Sequence, residues 1–289
     1  MQIFKNILVP TDFSRPADFA VVYAANLAHF TGAGITLYHS FIPFESAFYP
    51  ETQGIKENIE AEEQLRFRLS HMHDLLKKTH KKLKITTFVD RGAFLPKVKD
   101  YCKKNHPDLI VMGTKGASGL REVMLGSFTA DLIQDAPCPV IAIPARWQFK
   151  KLEKMALAVN YKPQDLYALQ HLLKLNEGFG AEISILHVHL AGQTAADSTA
   201  GSISQKDFEQ KAAGTALKFK TIRSEDVLDA LIETAAHDKT DILVISPRKR
   251  EKIWERLFSR NLAKTAICHI TIPIMAIPPM AAETAHKQE

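Results

Sequence analysis

Asp108-Leu109-Ile110-Val111-Met112-Gly113-Thr114-Lys115-Gly116-Ala117-Ser118-Gly119 is the stretch from which the fold can be read. Four branched or long apolar residues in a row are too few for a helix and read as a buried strand. The glycines that follow punctuate a turn, and Phe128, Leu132 and Ile133 then recur at helical spacing before a second apolar run, Val140-Ile141-Ala142-Ile143. Strand, glycine-rich turn, helix and strand make a parallel crossover unit. Upstream the same alternation continues. Ile7-Leu8-Val9 and Ile35 to Tyr38 read as strands. Between them Ser14 serves as N-cap, Pro16 sits in the first turn, and Phe19, Val22, Tyr23, Leu27 and Phe30 form a stripe that ends at Gly32. A long charged helix over about 57–82, a third strand over Ile85 to Val89, and a helix carrying Leu95, Val98 and Cys102 complete the series. The expected class is a doubly wound α/β fold with a five-stranded parallel sheet flanked by helices.

The series occurs twice. Asp241-Ile242-Leu243-Val244-Ile245 repeats the quoted strand, Pro273-Ile274-Met275-Ala276-Ile277-Pro278 repeats Pro139 to Pro144, and Gly180, Ile183 and His187 repeat Gly32, Ile35 and His39. Landmarks in the same order indicate tandem duplication. We expect two domains, 1–147 and 148–289, which suits a length of 289 residues. The junction follows the first copy's fifth strand directly. Both fifth strands, Val140–Ile143 and Ile274–Ile277, are short and apolar, and an uncovered apolar edge invites pairing, so we expect the two edges to meet within one chain.

Composition narrows the function. Apolar residues make up 46% and charged residues 24%, ordinary globular usage that excludes a disordered or fibrous chain. Lys and Arg number 37 against 32 Asp and Glu, and neither half concentrates the excess, so no nucleic-acid footprint is expected. No apolar run reaches the roughly 20 residues of a membrane span. The opening residues lack the pattern of a secretory signal, and Cys102, Cys138 and Cys268 are odd in number without a CxxC pair. These features point to the cytoplasm and away from a disulfide scaffold. Cys138, between Pro137 and Pro139, reads as a packing residue.

The glycine-rich turn carries the chemistry. A turn that leaves a strand and ends at a helix N-terminus, here Gly126-Ser127, has the form of an anion cradle. Glycines let the backbone come close to the anion, and free N–H groups with the helix dipole face its charge. The Ser127 hydroxyl serves either a phosphate or the helix end. GxxxxGK[ST] is absent, which excludes a Walker loop, and no GxGxxG follows the first strand.

The spacing Gly113-x2-Gly116-x9-Gly126-Ser127 resembles the nucleotide-binding signature of the universal stress proteins. So do its flanks, Asp108 to Gly113 before it and Ala136-Pro137-Cys138-Pro139-Val140 after it, and the opening Ile7-Leu8-Val9-Pro10-Thr11-Asp12-Phe13-Ser14. The resemblance covers the chain as two copies and implies ATP, with or without Mg²⁺, as the ligand. It implies that Asp12 contacts the adenosine part with Pro10 and Thr11 lining it, and that Ser40, after the second strand, offers backbone groups to the adenine. It also places Gly113 against the ribose and Gly116, Gly126, Ser127 and the Phe128 amide on the phosphates. Lys115 and Arg121 are added from charge and proximity, against the alternative of plain surface cations.

In the second copy Asn160 replaces Asp12, Ser246 and Lys249 replace Gly113 and Gly116, and Arg260-Asn261 replace Gly126-Ser127. Side chains then fill the space phosphates need, so that copy is expected to have lost the ligand and to serve packing, dimerisation or partner contact. His187-Val188-His189 places two rings on one face without a third ligand, and His71 and His73 read as exposed. No nucleophile and base are positioned by sequence, so a stress-responsive, ATP-binding regulator is expected, as a homodimer, rather than an enzyme. The alternative is a slow ATP-hydrolysing enzyme of the wider adenine-nucleotide α-hydrolase-like group.

Overall fold

The computed structural model describes residues 3–45, 51–114, 127–190, 203–247 and 271–278. The first half runs β1 (Asn6–Pro10), α1 (Arg15–Thr31), β2 (Gly34–Phe41), α2 (Glu51–Thr79), β3 (Ile85–Arg91), α3 (Phe94–Asn105), β4 (Leu109–Gly113), α4 (Ser127–Asp135) and β5 (Val140–Ile143). The second runs β6 (Lys154–Val159), α5 (Pro163–Asn176), β7 (Glu182–Leu190), α6 (Gln205–Ala212), β8 (Leu217–Ser224), α7 (Val227–His237), β9 (Ile242–Ile245) and β10 (Ile274–Ala276). All ten strands join one sheet in the order β3-β2-β1-β4-β5-β10-β9-β6-β7-β8, which reads the same from either edge. Every pairing is parallel except that of β5 with β10, where Val140, Ile141 and Ala142 face Ala276, Met275 and Ile274. The two fifth-strand edges meet within the chain, as expected. The inner strands β1, β4, β5, β6, β9 and β10 are buried and apolar on both faces because helices cover both faces, whereas the outer strands β3 and β8 are partly exposed.

The seam is continuous with the interior. One core, on the α1 and α5 face, gathers Ile7, Tyr23, Leu37 and Ile141 with Leu157, Leu172, Val244 and Met275. The other, on the α3, α4 and α7 face, gathers Leu8, Val98 and Leu132 with Ala156, Leu231 and Leu243. Each core draws on both halves. Beyond the sheet, Phe149 sets its ring edge-on to Tyr23 at 5.3 Å, and Phe30 stacks on Phe179 at 4.9 Å.

Local signals and structure agree closely for α1. Ser14 caps it, its Oγ accepting the Ala17 N–H at 3.3 Å, and Gly32 ends it at φ 73°. The stripe differs: Val22 points outward, 52% exposed, while Ala20, Val21, Ala24, Leu27 and Ala28 face the sheet. Alanines, silent in a hydrophobic pattern, let the helix lie close to the strands. Likewise β2 runs past Tyr38 to Phe41, so Ser40 lies inside the strand, opposite Asp90 of β3, rather than after it.

The duplication extends to hydrogen bonds. The Asp108 carboxylate accepts the N–H groups of Lys5 and Asn6, both at 2.8 Å, at the start of β1. Asp241 accepts those of Glu153 and Lys154, at 2.7 and 2.9 Å, at the start of β6. Each acidic residue thus fixes the register of the strand beside its own.

Candidate functional site

Strand order reverses between β1 and β4: from β1 the chain moves outward through β2 and β3, and from β4 in the other direction to β5. The loops leaving such neighbouring strands diverge to opposite faces and open a crevice at their carboxyl ends. Pro10, Thr11, Asp12, Ser40 and Gly113 all stand at that end, as their positions in β1, β2 and β4 require. Gly113 is tied into it twice. It pairs with Ile143, and its carbonyl accepts the buried Thr129 hydroxyl at 2.9 Å. That second bond brings the first turn of α4, which Ser127 opens, against the end of β4. Phe128 is 57% exposed and meets Phe94 edge-on at 5.5 Å. Lys115, Gly116, Arg121 and Gly126 lie outside the described residues, as do Lys249, Arg260 and Asn261 of the second copy.

The loop after β1 is held by its own side chains. Thr11 donates its N–H to the Tyr38 carbonyl at 2.9 Å, closing the ladder to β2. Its Oγ1 accepts the Phe13 N–H, and Asp12 Oδ1 accepts the Ser14 N–H, each at 3.0 Å. Asp12 therefore performs the turn-forming role open to any such residue, and its carboxylate is exposed. Phe13 adopts φ 60°, uncommon for a non-glycine residue, and its ring contacts His39, 4.7 Å between centroids, and the Arg68 guanidinium, 4.0 Å from the ring centroid.

Ser40 has two features that bear on ligand binding. Residues two apart on a strand turn their backbone N–H and C=O to the same side, so Ser40 directs its pair toward β1, as Tyr38 does. The β1–β2 register ends at the Pro10–Tyr38 pair, so Ser40 faces the region beyond the end of β1. Its hydroxyl is buried and has no hydrogen-bond partner among the described residues, on the sheet face it shares with Tyr38. Buried hydroxyls are normally paired, and an orphan at the mouth of a crevice fits a missing polar ligand.

Two histidines at this end, read in sequence as repeat landmarks and, for His187 with His189, as a metal pair lacking a third ligand, bond the backbone instead. His39 Nδ1 donates to the Thr11 carbonyl at 2.7 Å, and His187 Nδ1 donates to the Val159 carbonyl at 2.9 Å in the second half. There Tyr161, at φ 55°, sits 4.9 Å from His187 as Phe13 does from His39. The recurrence of histidine in both copies was the available clue. Burial pushes both imidazoles below their ordinary range, outweighing the bond to the carbonyl. The neutral form is thus the folded one, and the unfolded chain takes up protons first as pH falls below about 6.5. Stability contributed by the pair is present above that value and lost on acidification below it. Urea midpoints at pH 7 and pH 5 should show a drop that is smaller in the His39→Gln/His187→Gln variant. An equal drop in both would remove these histidines from the account.

The second-half crevice is built differently. The buried Asp165 carboxylate accepts the N–H groups of Asn160 and Lys162, both at 2.9 Å, and the Tyr161 ring lies against Phe208 of α6 at 5.8 Å. Among the described residues no group of three or more His, Cys, Asp or Glu is placed to hold a metal, and no helix is long and apolar enough to cross a membrane.

Fold and strand order together define a doubly wound α/β protein with a strand-order reversal between β1 and β4. Residues 3–144, the first half of the chain, match the model of the universal stress protein family and form a domain of that family. A universal stress protein of Methanocaldococcus jannaschii is 29% identical over 150 residues, covering 49% of this chain and 82% of that one. One from Thermus aquaticus is 26% identical over 145 residues, covering 49% and 99%. The crystal structure of a universal stress protein from Archaeoglobus fulgidus aligns over 96% of this chain and 97% of its own, with a TM-score of 0.66 and 15% identity. At that identity the likeness is one of fold.

Proposed function

We propose that the chain is a stress-response regulator that binds one adenine nucleotide, ATP with or without Mg²⁺, in the crevice between β1 and β4. The observation that carries this reading is the unpartnered, buried Ser40 hydroxyl at the carboxyl end of the sheet, beside the strand-order reversal. In this reading Ser40 presents backbone groups to the adenine, and Pro10, Thr11 and Asp12 line the adenosine. Gly113 lies against the ribose. The phosphates fall to Gly116, Gly126, Ser127 and the Phe128 N–H, with Lys115 and Arg121 supplying positive charge. The bond from Thr129 to Gly113 supports the arrangement, because it holds the N-terminus of α4, whose first-turn N–H groups have no carbonyl of the helix itself to bond, at the end of β4.

The same reading divides the chain into a nucleotide-binding domain, 1–147, and a degenerate one, 148–289, that packs against it through β10. Cytoplasmic residence and self-association as a homodimer belong to it as well.

Mass spectrometry of small molecules released from denatured, freshly purified protein should find ATP, ADP or AMP. Titration calorimetry should give one site per chain. Gly126→Val should weaken binding at least about a hundredfold, since two charge-assisted hydrogen bonds at roughly 1.5–3 kcal/mol each are lost. Two equivalent sites, or no heat at millimolar ATP, would contradict the reading.

A further inference from the structure

The sheet has two outer edges, β3 and β8, and they are guarded differently. β8 carries Lys218, Lys220 and Arg223 exposed along its length, with Lys218 and Lys220 held by Glu182 and Asp238. Charged side chains of this kind keep another strand from adding to an edge. β3 has no such guard: Thr86, Thr87 and Phe88 are exposed in a row, and no charge stands between Lys84 and Asp90. Its backbone is open as well. The Ile35 N–H donates to the Lys84 carbonyl at 2.9 Å, and the Gly92 N–H donates to the Phe41 carbonyl at 2.7 Å. The even-numbered residues therefore bond β2, and Ile85, Thr87 and Val89 turn their N–H and C=O groups away from the sheet. Charge differs between the two ends of this edge. Lys81, Lys82 and Lys84 are exposed at the amino end, and none of them makes an ion pair among the described residues. Asp90 stands at the carboxyl end, where its contacts with the Tyr38 hydroxyl at 3.3 Å and Lys97 Nζ at 3.5 Å are long ones.

We propose that β3 is the edge through which the chain associates with a second copy of itself, the two β3 strands pairing antiparallel about a twofold axis at Thr87. The outward backbone groups allow this register: Thr87 faces its own counterpart and Ile85 faces Val89 of the second copy, each pair exchanging both N–H···O bonds. Charge selects it. Lys84 then stands opposite Asp90 at both ends of the seam, so an unpaired cation meets a carboxylate, and Thr86 stands opposite Phe88, a β-branched residue against a ring that is 42% exposed. Centring the axis on Phe88 instead would set Ile85 against Arg91 and leave Lys84 opposite Gly92. The antiparallel sense also carries the two lysine clusters to opposite ends of the seam, whereas a parallel one would set them side by side. The chain closes its inner edges in the same way, by the antiparallel pairing of β5 with β10. This inference rests on the homodimer of the functional reading, to which it gives a surface, and is independent of the nucleotide.

Sedimentation velocity of the full-length chain over a concentration series should show a dimer that weakens as salt is raised. Thr87→Pro removes an outward N–H and no bond to β2, and should weaken association by about tenfold, since the twofold axis doubles the loss. Lys81→Glu/Lys82→Glu/Lys84→Glu, all at exposed positions, should weaken it as well with an unchanged circular dichroism spectrum, while Arg223→Glu on β8 should leave the dimer intact. Carbodiimide coupling of an equal mixture of isotopically light and heavy chains should yield a peptide joining Lys84 of one to Asp90 of the other. A dimer that persists in both β3 variants, or that Arg223→Glu dissociates equally, would overturn the proposal and leave the homodimer standing. A chain that is monomeric at every concentration would overturn both.

Discussion

Replacing Ile141 by aspartate is expected to unfold the chain or to leave it barely folded at room temperature. Ile141 is 2% exposed, pairs with Val111 of β4 on one side and Met275 of β10 on the other, and belongs to the core shared by both halves. Truncating such a side chain alone costs about 2–5 kcal/mol. A carboxylate there must also be desolvated or neutralised, which adds several kcal/mol more. The sum rivals the roughly 5–15 kcal/mol that holds a typical protein folded. Ile141→Val, which removes one methylene, should cost only about 1 kcal/mol. Circular dichroism through a urea titration distinguishes these outcomes. Limited proteolysis between Pro144 and Lys151 reports whether the halves part before they melt. A folded Ile141→Asp chain with an unchanged midpoint would mean that β5 is an open edge.

Asp241→Ala should be the next most damaging change, costing about 2–5 kcal/mol. Its carboxylate, 2% exposed, accepts two backbone N–H groups at the start of β6 and pairs with Lys150 Nζ at 2.6 Å. Lys150 is 61% exposed at its side chain and returns to water, so its share of the cost is small. The loss falls on the N–H groups of Glu153 and Lys154, each costing about 1–3 kcal/mol if left unpaired in a partly buried setting. Tyr23 of α1 feels this carboxylate: burial first, and then the charge of Asp241, pushes its phenol above the ordinary range. Part of the loss should therefore be felt by the first half. Asp108→Ala is the internal control, since it removes the same pair of bonds at an exposed position where water substitutes, and should cost about 1 kcal/mol. Equal urea midpoints for the two variants would refute the difference in burial as the cause.

Much of this was legible from the residues in order. Strands with apolar residues on both faces, capping by Ser14 and Gly32, and the repeated Asp-apolar strands follow from local chemistry, because each depends on neighbours within one or two helical turns. The order of landmarks revealed two copies, and the short apolar fifth strands implied a covered edge. The glycine spacing marked a segment suited to an anion before any of it was placed in space. Sequence could not say that Val22 would face solvent, since an apolar residue reads the same on either face and the alanines that actually pack do not stand out.

What only the tertiary structure decided are the contacts between residues distant in the chain. Ser40 became a strand residue with an orphaned hydroxyl because β3 extends the pairing beyond Tyr38. His39 and His187 acquired carbonyl partners because β2 and β7 end level with the loops after β1 and β6. Asp108 and Asp241, visible only as repeat markers, became the pins of the neighbouring strands. Local propensity determines elements one at a time. Which of their side chains meet depends on strand order and register, which are set by burial summed over the whole sheet.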